Sequence, residues 1–101
     1  MPLNHVVILS FARLPTATER EALLKASKEM CKHISAIRSL ECGFDAGITG
    51  EAYLTYSLVV KFDCESDYLA YANNPIHREF VATHIKPLLA ENGRQAIQFY
   101  T

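Results

Sequence analysis

The chain has 101 residues, of which 50% are hydrophobic and 21% are charged, and its formal net charge is −1. This composition is typical of one globular domain and excludes a disordered segment or two full domains. Lysine and arginine are scattered among acidic residues, so the chain lacks the concentrated positive charge that binds nucleic acid. The longest apolar run is far below the roughly 20 residues of a membrane helix, and the N-terminus lacks a secretory signal. We therefore expect a cytoplasmic protein with neither a nucleic-acid nor a membrane partner.

The sequence contains none of the common motifs for a metal or a cofactor. Its cysteines are odd in number and have no metal-ligand spacing, so we expect Cys31, Cys42 and Cys64 to be reduced, partly buried small hydrophobic residues. A Gly-rich phosphate loop, a His-x-x-x-His pair and a Gly-x-Ser-x-Gly turn are all absent. We therefore expect no metal and no cofactor.

The first half of the chain predicts a strand, a helix and two further strands. Residues 3–13 alternate in the manner of a strand, and both of its faces are mostly apolar. Residues 16–34 repeat apolar positions at helical spacing, and Thr18 with Glu21 has the spacing of a capping box. Strands are predicted over 39–46 and 53–63, with a glycine-containing turn between them.

The second half predicts two short helices and a last strand. Ser66 is expected to cap the first helix, and Asn74-Pro75 to open the second with Asn at the N-cap and Pro at the first position. Pro87 should end or kink the second helix. Asn92-Gly93 is predicted to be a turn that precedes a strand over residues 95–100.

The predicted order is β-α-β-β-α-α-β, which is the ferredoxin-like α+β pattern with an antiparallel sheet. Helices in so short a chain can cover only one face of that sheet, yet the strands are apolar on both faces. A second copy of the chain is the simplest cover for the other face. We therefore expect a homodimer that joins through the sheet face and closes a dimeric α/β barrel.

His77 is the strongest candidate for chemistry. With Asn74 as the N-cap, His77 is the third residue of its helix, where partial positive charge disfavours the imidazolium form. A neutral imidazole can act as a general base. His84 lies within the same narrow arc of the helix and should also point towards the core. The alternative for both is a core histidine satisfied by one hydrogen bond.

Three further side chains could share a pocket with His77 between the sheet and the helices. Tyr71 lies six residues earlier, across the helix break, and its phenol could donate to a carbonyl oxygen. His5 begins the first strand and shares a face with its buried residues, and Tyr56 lies on the sheet face assigned to the helices. For both tyrosines the alternative is a plain core or interface aromatic residue.

Three segments of the chain resemble the stress-responsive A/B barrel (Dabb) family: His-Val-Val-Ile-Leu-Ser-Phe, Val-Val-Lys-Phe-Asp and Tyr-Ala-Asn-Asn-Pro-Ile-His-Arg-Glu-Phe-Val. The similarity covers nearly the whole chain and implies a dimeric α/β barrel. A plant polyketide cyclase of this family closes a ring without a cofactor, and a plant hydroxynitrile lyase shares the fold. The resemblance places the acid–base pair of the cyclase at Tyr71 and His77 and a pocket histidine at His5. Tyr56 and Ser27 stand where the cyclase has a second pocket histidine and a helix tyrosine.

Three functions remain open from the sequence. The first is a lyase or cyclase acting on a small carbonyl (polyketide-like) substrate, with His77 as general base and Tyr71 as acid. Substrate-binding residues would then be His5, Tyr56, Ser27 and His84. The second is a non-catalytic stress-response protein that binds a small molecule. The third is a monooxygenase of the antibiotic-biosynthesis or haem-degrading type.

Overall fold

The structure is a computed structural model that describes residues 1–101. Its elements run in the following order: β1 (Leu3–Phe11), α1 (Ala17–His33), β2 (Ser39–Phe44), β3 (Thr55–Phe62), α2 (Glu65–Ala72), α3 (Pro75–Phe80), a π-helical turn (Val81–Ile85) and β4 (Leu89–Tyr100). The predicted α+β order is confirmed, and most elements end within one or two residues of their predicted bounds.

The four strands form one antiparallel sheet in the order β2-β3-β1-β4. On β1, Val7 pairs with Leu58 of β3 and with Ala96 of β4, which fixes the register of the three strands. The α2 helix packs against β1 and β3, and α1 packs against β2. The helices therefore cover three strands and leave most of the edge strand β4 uncovered.

The core lies between the helices and one face of the sheet. Alternate residues of β1 and β3 point into it and meet the apolar stripe of α1 and the last residues of α3 and of the π-helical turn. The cluster includes Leu9, Phe11, Leu23, Met30, Val60, Phe62, Phe80 and Ile85. Burying this apolar surface is the main force that holds the helices to the sheet. The opposite face of the sheet has no cover within the protomer.

That open face is apolar, as the two-sided pattern of β1 predicts. Ile8 is 41% exposed, Ile97 is 63% exposed and Phe99 is 45% exposed. Val6 pairs with both Val59 and Ile97, so apolar side chains of β1, β3 and β4 adjoin one another across the sheet. We call this surface, made of Val6, Ile8, Val59, Ile97 and Phe99, the open face.

The start of α1 differs from the prediction by two residues. The capping box is formed by Thr16 and Glu19, not by Thr18 and Glu21. The Thr16 hydroxyl accepts from the Glu19 N–H at 3.2 Å, and the Glu19 carboxylate accepts from the Thr16 N–H at 2.9 Å. The same carboxylate also binds Arg13 at 2.8 Å, so the earlier pair gains a second partner and fixes where the helix begins.

The predicted N-cap residue is wrong for the first short helix and confirmed for the second. Cys64, not Ser66, is the N-cap residue of α2, and its side chain makes no capping hydrogen bond. Asn74 is the N-cap of α3, where its side chain accepts from the Ile76 N–H at 2.9 Å, and Pro75 is the first helical residue. Pro87 follows the π-helical turn and lies outside the helix, as predicted.

Asn92-Gly93 is not a turn, because β4 runs through it from Leu89 to Tyr100. Asn92 has a φ of 56°, and the β1–β4 register shifts between Leu9 and Phe11, which together describe a bulge. A Cβ atom at position 93 would clash with the carbonyl oxygen of Ser10, so only glycine fits there. The bulge lets the strand begin six residues before the predicted start.

Membrane-spanning helices, metal-ligand groups and disulfides are all absent from the structure. No helix is both long and apolar enough to cross a membrane. No group of three or more His, Cys, Asp or Glu side chains could hold a metal ion. Cys31 and Cys42 are half-buried and Cys64 is exposed, and all three are free thiols.

Candidate functional site

Five rings meet where α2 and α3 approach the end of the sheet, and we call them the ring cluster: His5, Phe62, Tyr68, Tyr71 and His77. The Tyr71 and His77 ring centroids are 4.3 Å apart. The His5 ring lies 6.1 Å from Tyr71 and 4.9 Å from Tyr68. Phe62 closes the inner side at 5.2 Å from Tyr71. The structure thus brings together three of the residues singled out from the sequence.

The break between α2 and α3 brings Tyr71 and His77 together. Tyr71 is in the last turn of α2, and Asn74 restarts the chain as the N-cap of α3, with His77 in the first turn. The Nδ1 atom of His77 lies 3.3 Å from the carbonyl oxygen of Ala72. Because a carbonyl oxygen only accepts, Nδ1 carries the proton, and Nε2 keeps the lone pair of a base.

His5 has the opposite tautomer. Its Nδ1 accepts from the side-chain amide of Gln98 at 2.8 Å, so neutral His5 carries its proton on Nε2 and donates from there. Gln98 is the β4 residue that pairs with His5 in the sheet. The cluster therefore contains one imidazole able to accept a proton and one able to donate a hydrogen bond.

Both histidines are held neutral at pH 7. Burial, with smaller contributions from the charges of Arg94 and His77, lowers the pKa of His5 from 6.5 to about 4. Burial is also the main cause that lowers the pKa of His77, opposed by the hydrogen bond to Ala72 and helped by Arg94 and Arg78. The direction agrees with the prediction, but its main physical cause is desolvation rather than the end of the helix.

Tyr71 is a neutral hydrogen-bond donor at pH 7. Burial and, to a smaller extent, Tyr68 raise its pKa to about 12, against the opposing charge of Arg94. No protein atom accepts a hydrogen bond from its hydroxyl, yet no fully buried side-chain polar atom lacks a partner. The Tyr71 hydroxyl therefore touches solvent, although the residue as a whole is 3% exposed.

The main cavities lie away from the ring cluster. The four main cavities are lined by none of His5, Tyr71 and His77, so the predicted pocket between sheet and helices is not among them. The largest of the four has a volume of about 420 Å³ and lies between α1 and α3. Because the five rings pack against one another, a small molecule that engages the cluster would meet the exposed polar atoms of these rings.

His84 is not part of the cluster, in contrast to the expectation from the helical arc. It lines the cavity between α1 and α3 together with Met30 and Phe80, and its ring lies 5.9 Å from Phe80. The π-helical turn that contains His84 changes the angular spacing of the residues after Phe80. An arc drawn at 100° per residue therefore does not carry from His77 to His84.

Tyr56 and Ser27 are brought together with each other but not with the cluster. Their hydroxyls are 2.7 Å apart, Ser27 donates to the carbonyl oxygen of Leu23 at 2.8 Å, and both residues are 0% exposed. Tyr56 therefore donates to Ser27, and burial raises its pKa well above the ordinary value. On β3 it lies four residues from Val60, the partner of His5, which is about 13 Å along a strand.

Three residues that bear on the cluster are not predicted from the sequence: Tyr68, which packs against Tyr71, Gln98, which binds His5, and Arg94, whose charge acts on His5, Tyr71 and His77. Arg94 and Gln98 lie on β4 on the same face as His5. The predicted strand begins after Arg94, because Asn92-Gly93 is interpreted as a turn. Period-two alternation extended back from Gln98 and Ala96 places Arg94 on the helix-facing side. Tyr68 is one turn before Tyr71 on α2, and this spacing alone would have found it.

Four antiparallel strands in the order β2-β3-β1-β4, with the helices on one face, define a ferredoxin-like α+β protein. The chain belongs to the Stress Responsive A/B Barrel Domain (Dabb) family, whose model matches residues 3–100. The family indicated by the three sequence segments is thereby confirmed.

Solved structures with this fold include several described as dimeric. A dimeric ferredoxin-like protein of unknown function from Thermobifida fusca is 27% identical, with a TM-score of 0.85 over 100% of this chain and 92% of that one. A Dabb family protein from Mesorhizobium loti is 16% identical, with a TM-score of 0.77 over 99% and 96%. The hydroxynitrile lyase from Passiflora edulis is 15% identical, with a TM-score of 0.77 over 97% and 91%. Among curated proteins, none matches the chain.

Proposed function

We propose that this protein is a cofactor-independent lyase or cyclase that removes a proton next to a carbonyl group of a small polyketide-like substrate. The observation that carries the proposal is the Tyr71–His77 pair, with ring centroids 4.3 Å apart. One member has a free basic nitrogen and the other a free hydroxyl. A base and a hydrogen-bond donor at this separation can act on adjacent atoms of one bound molecule.

The proposed step moves one proton and two electron pairs. His77 Nε2 takes a proton from the carbon next to the carbonyl, the electron pair of that C–H bond forms the enolate C=C bond, and the π pair of the carbonyl moves to its oxygen. Tyr71 donates a hydrogen bond to the developing enolate oxygen, and His5 orients the substrate through its Nε2–H. The enolate carbon then attacks a second carbonyl, whose oxygen becomes an alkoxide and takes the proton from His77. In the reverse direction the same groups cleave a carbon–carbon bond.

The neutral state of the three groups favours this chemistry at pH 7. The lowered pKa of His77 leaves its Nε2 unprotonated, and the raised pKa of Tyr71, about 12, keeps its proton available for donation. A positioned general base contributes roughly 10²- to 10⁴-fold to a rate. The lyase described for Passiflora edulis has the same fold and is consistent with a lyase reaction here.

We also propose that the protein is a homodimer joined through the open face. Dimeric relatives of the same fold support a dimer, and the exposed apolar side chains of β1, β3 and β4 favour this surface as the interface. The cytoplasmic location remains a prediction from the sequence.

The test of the catalytic proposal is deuterium exchange into the methyl group of 4-acetylbenzamide, followed by NMR in D₂O at pD 7.5. We expect the protein to accelerate exchange beyond an equal concentration of free imidazole. His77→Gln should lower the protein-dependent rate by about 100-fold, and Tyr71→Phe should lower it by about tenfold. His33→Gln is the matched control, because His33 binds Glu29 and lines the cavity between α1 and α3, away from the ring cluster.

Equal rates for the protein and free imidazole would contradict the catalytic proposal, as would an equal loss in His77→Gln and His33→Gln.

A second candidate function is that of a non-catalytic protein that binds a small molecule. The cavity of about 420 Å³ between α1 and α3, with Met30, Ile76 and Phe80 in its lining, favours that candidate. It predicts no protein-dependent exchange and a ligand whose binding is unaffected by His77→Gln.

A further inference from the structure

Arg94 stands on the part of the sheet that leads to the ring cluster. Arg94 lies on β4 and pairs with Leu9 of β1. It is on the same side of the sheet as Gln98, the partner of His5. Only Ala96 lies between Arg94 and Gln98 on that face, so no large side chain blocks a guanidinium that extends along the strand. Arg94 and Gln98 are both exposed, because the helices lie over the other strands. The edge strand is thus an open approach to His5.

Arg94 differs from the other arginines of the chain because its guanidinium makes no hydrogen bond or ion pair. The partners of the others are Glu19 for Arg13, the Pro15 carbonyl for Arg20, Asp63 for Arg38 and Asn73 for Arg78. A guanidinium presents a planar fork of donors that matches a carboxylate. The hydrogen-bond donors of the Arg94 guanidinium are therefore free to bind a ligand, on the strand that leads to His5.

The positive charge of Arg94 shifts the pKa of three polar groups of the cluster. It lowers the pKa of His5, of His77 and of Tyr71, although in each case burial is the largest effect. No carboxylate is among the groups that shift these three pKa values. The cluster therefore combines neutral acid–base groups with the positive charges of Arg94 and Arg78, which is an environment that favours an anion.

We propose that Arg94 makes the site selective for carbonyl compounds that carry a carboxylate, which the guanidinium binds while the carbonyl group faces Tyr71 and His77. The inference rests on the proposed function and names its substrate class. The guanidinium of Arg78, the other cation that acts on His77, already binds Asn73, so Arg94 alone offers an unoccupied fork, which fits one monoanionic carboxylate. Arg94 acts as a specificity-determining residue and takes no part in the proton transfer.

Two probes of nearly equal shape test this selectivity: 4-acetylbenzoate, which is anionic, and 4-acetylbenzamide, which is neutral. Dissociation constants are measured by NMR titration at pH 7.5 and low salt. We expect the wild-type protein to bind the carboxylate about tenfold more tightly than the amide. Arg94→Gln should bring the ratio of the two constants close to one, and Arg94→Lys should retain part of it.

Arg38→Gln is the matched control, because Arg38 pairs with Asp63 and contacts no member of the ring cluster. It should keep the tenfold ratio. The proposal is overturned if the wild-type protein shows no preference, if Arg94→Gln keeps the preference, or if Arg38→Gln loses it equally. Because the ratio is measured without turnover, a failure of the exchange experiment leaves it standing, and the two proposals fail separately.

Discussion

His5 has a hydrogen-bond partner in the folded protein, yet its protonation there costs free energy. Its Nδ1 accepts from Gln98, and the ring packs against Tyr68. Protonation would place a charge in this buried site close to Arg94, which explains a pKa of about 4. The residue thereby links the stability of the fold to pH.

The stability of the protein should fall as the pH falls from 6.5 towards 5. His5 has a lower pKa in the folded protein than the 6.5 it has when unfolded. The unfolded chain therefore binds more protons in this window, and acid favours unfolding. We expect His5 to account for a loss of about 1 kcal/mol, allowing for the water that reaches its exposed edge. Urea unfolding at pH 6.5 and 5, at one protein concentration, measures the loss.

His5→Gln should reduce this pH dependence. A loss between pH 6.5 and 5 that is the same in wild type and His5→Gln would contradict the assigned role of His5.

The residue scale also shows which parts of the site a sequence can reveal. Tyr71 and His77 were identifiable because a proline and an asparagine mark the helix break that separates them. His84 was not, because the π-helical turn shifts the residues after Phe80 and no local signal marks that turn. Arg94 was missed because its inclusion in β4 depends on pairing with β1, which is a tertiary effect.

At the scale of single elements, the start of α1 shows why capping signals can be ambiguous. Thr16 and Thr18 each precede a glutamate by three residues, so both satisfy the capping-box pattern. Only the first pair has a third partner, since Arg13 binds Glu19. The choice between them lies in side chains outside the motif.

Thr16→Ala should lower the free energy of unfolding by about 1 kcal/mol, because it removes the acceptor for a free N–H at the helix start. Thr18→Ala is the matched control. Thr18 is exposed in the first turn and accepts no capping bond, so its replacement by a better helix former should cost little or slightly stabilise the protein. Chemical denaturation measures both, and an equal loss in the two variants would contradict the observed cap.

The bulge in β4 is a second feature of an element that the sequence signals in an ambiguous way. Asn-Gly favours positive φ angles, which occur in hairpin turns and in bulges alike. Asn92 adopts such an angle, and Gly93 lies against the backbone of Ser10. The prediction of a turn is therefore wrong, because the pairing with β1 decides that the strand continues.

At the scale of the whole molecule, the fold followed from the sequence with few errors. Hydrophobic periodicity predicted the order of the elements, and the two-sided apolar pattern of β1 predicted the open face. Such a face is larger than isolated exposed apolar residues would produce, and a partner surface is its usual explanation. The packing of the five rings against one another was beyond the sequence, because it depends on how α2 and α3 meet the sheet.

Ile97→Asp should convert the protein to a monomer. Ile97 is 63% exposed in the protomer and lies beside Val6 in the open face, where a charge buried between two sheets would be strongly unfavourable. Light scattering coupled to size exclusion should give twice the 11.3 kDa chain mass for the wild type and a single chain mass for the variant.

Ile48→Asp is the control for the dimer experiment, because Ile48 is 88% exposed in the β2–β3 connection and should leave the mass unchanged. Circular dichroism checks that the variants are folded. A folded Ile97→Asp variant that remains dimeric would place the interface elsewhere.

The proposed proton transfer depends most on a neutral His77 that acts as a base beside a protonated Tyr71. Its most direct test is the pH profile of protein-dependent deuterium exchange into 4-acetylbenzamide. The lowered pKa of His77 and the pKa of about 12 for Tyr71 predict a rate that is level from pH 9 down through 6.5 and falls only below it. A rate that has already halved at or above pH 6.5, or no protein-dependent exchange at any pH, would contradict the account.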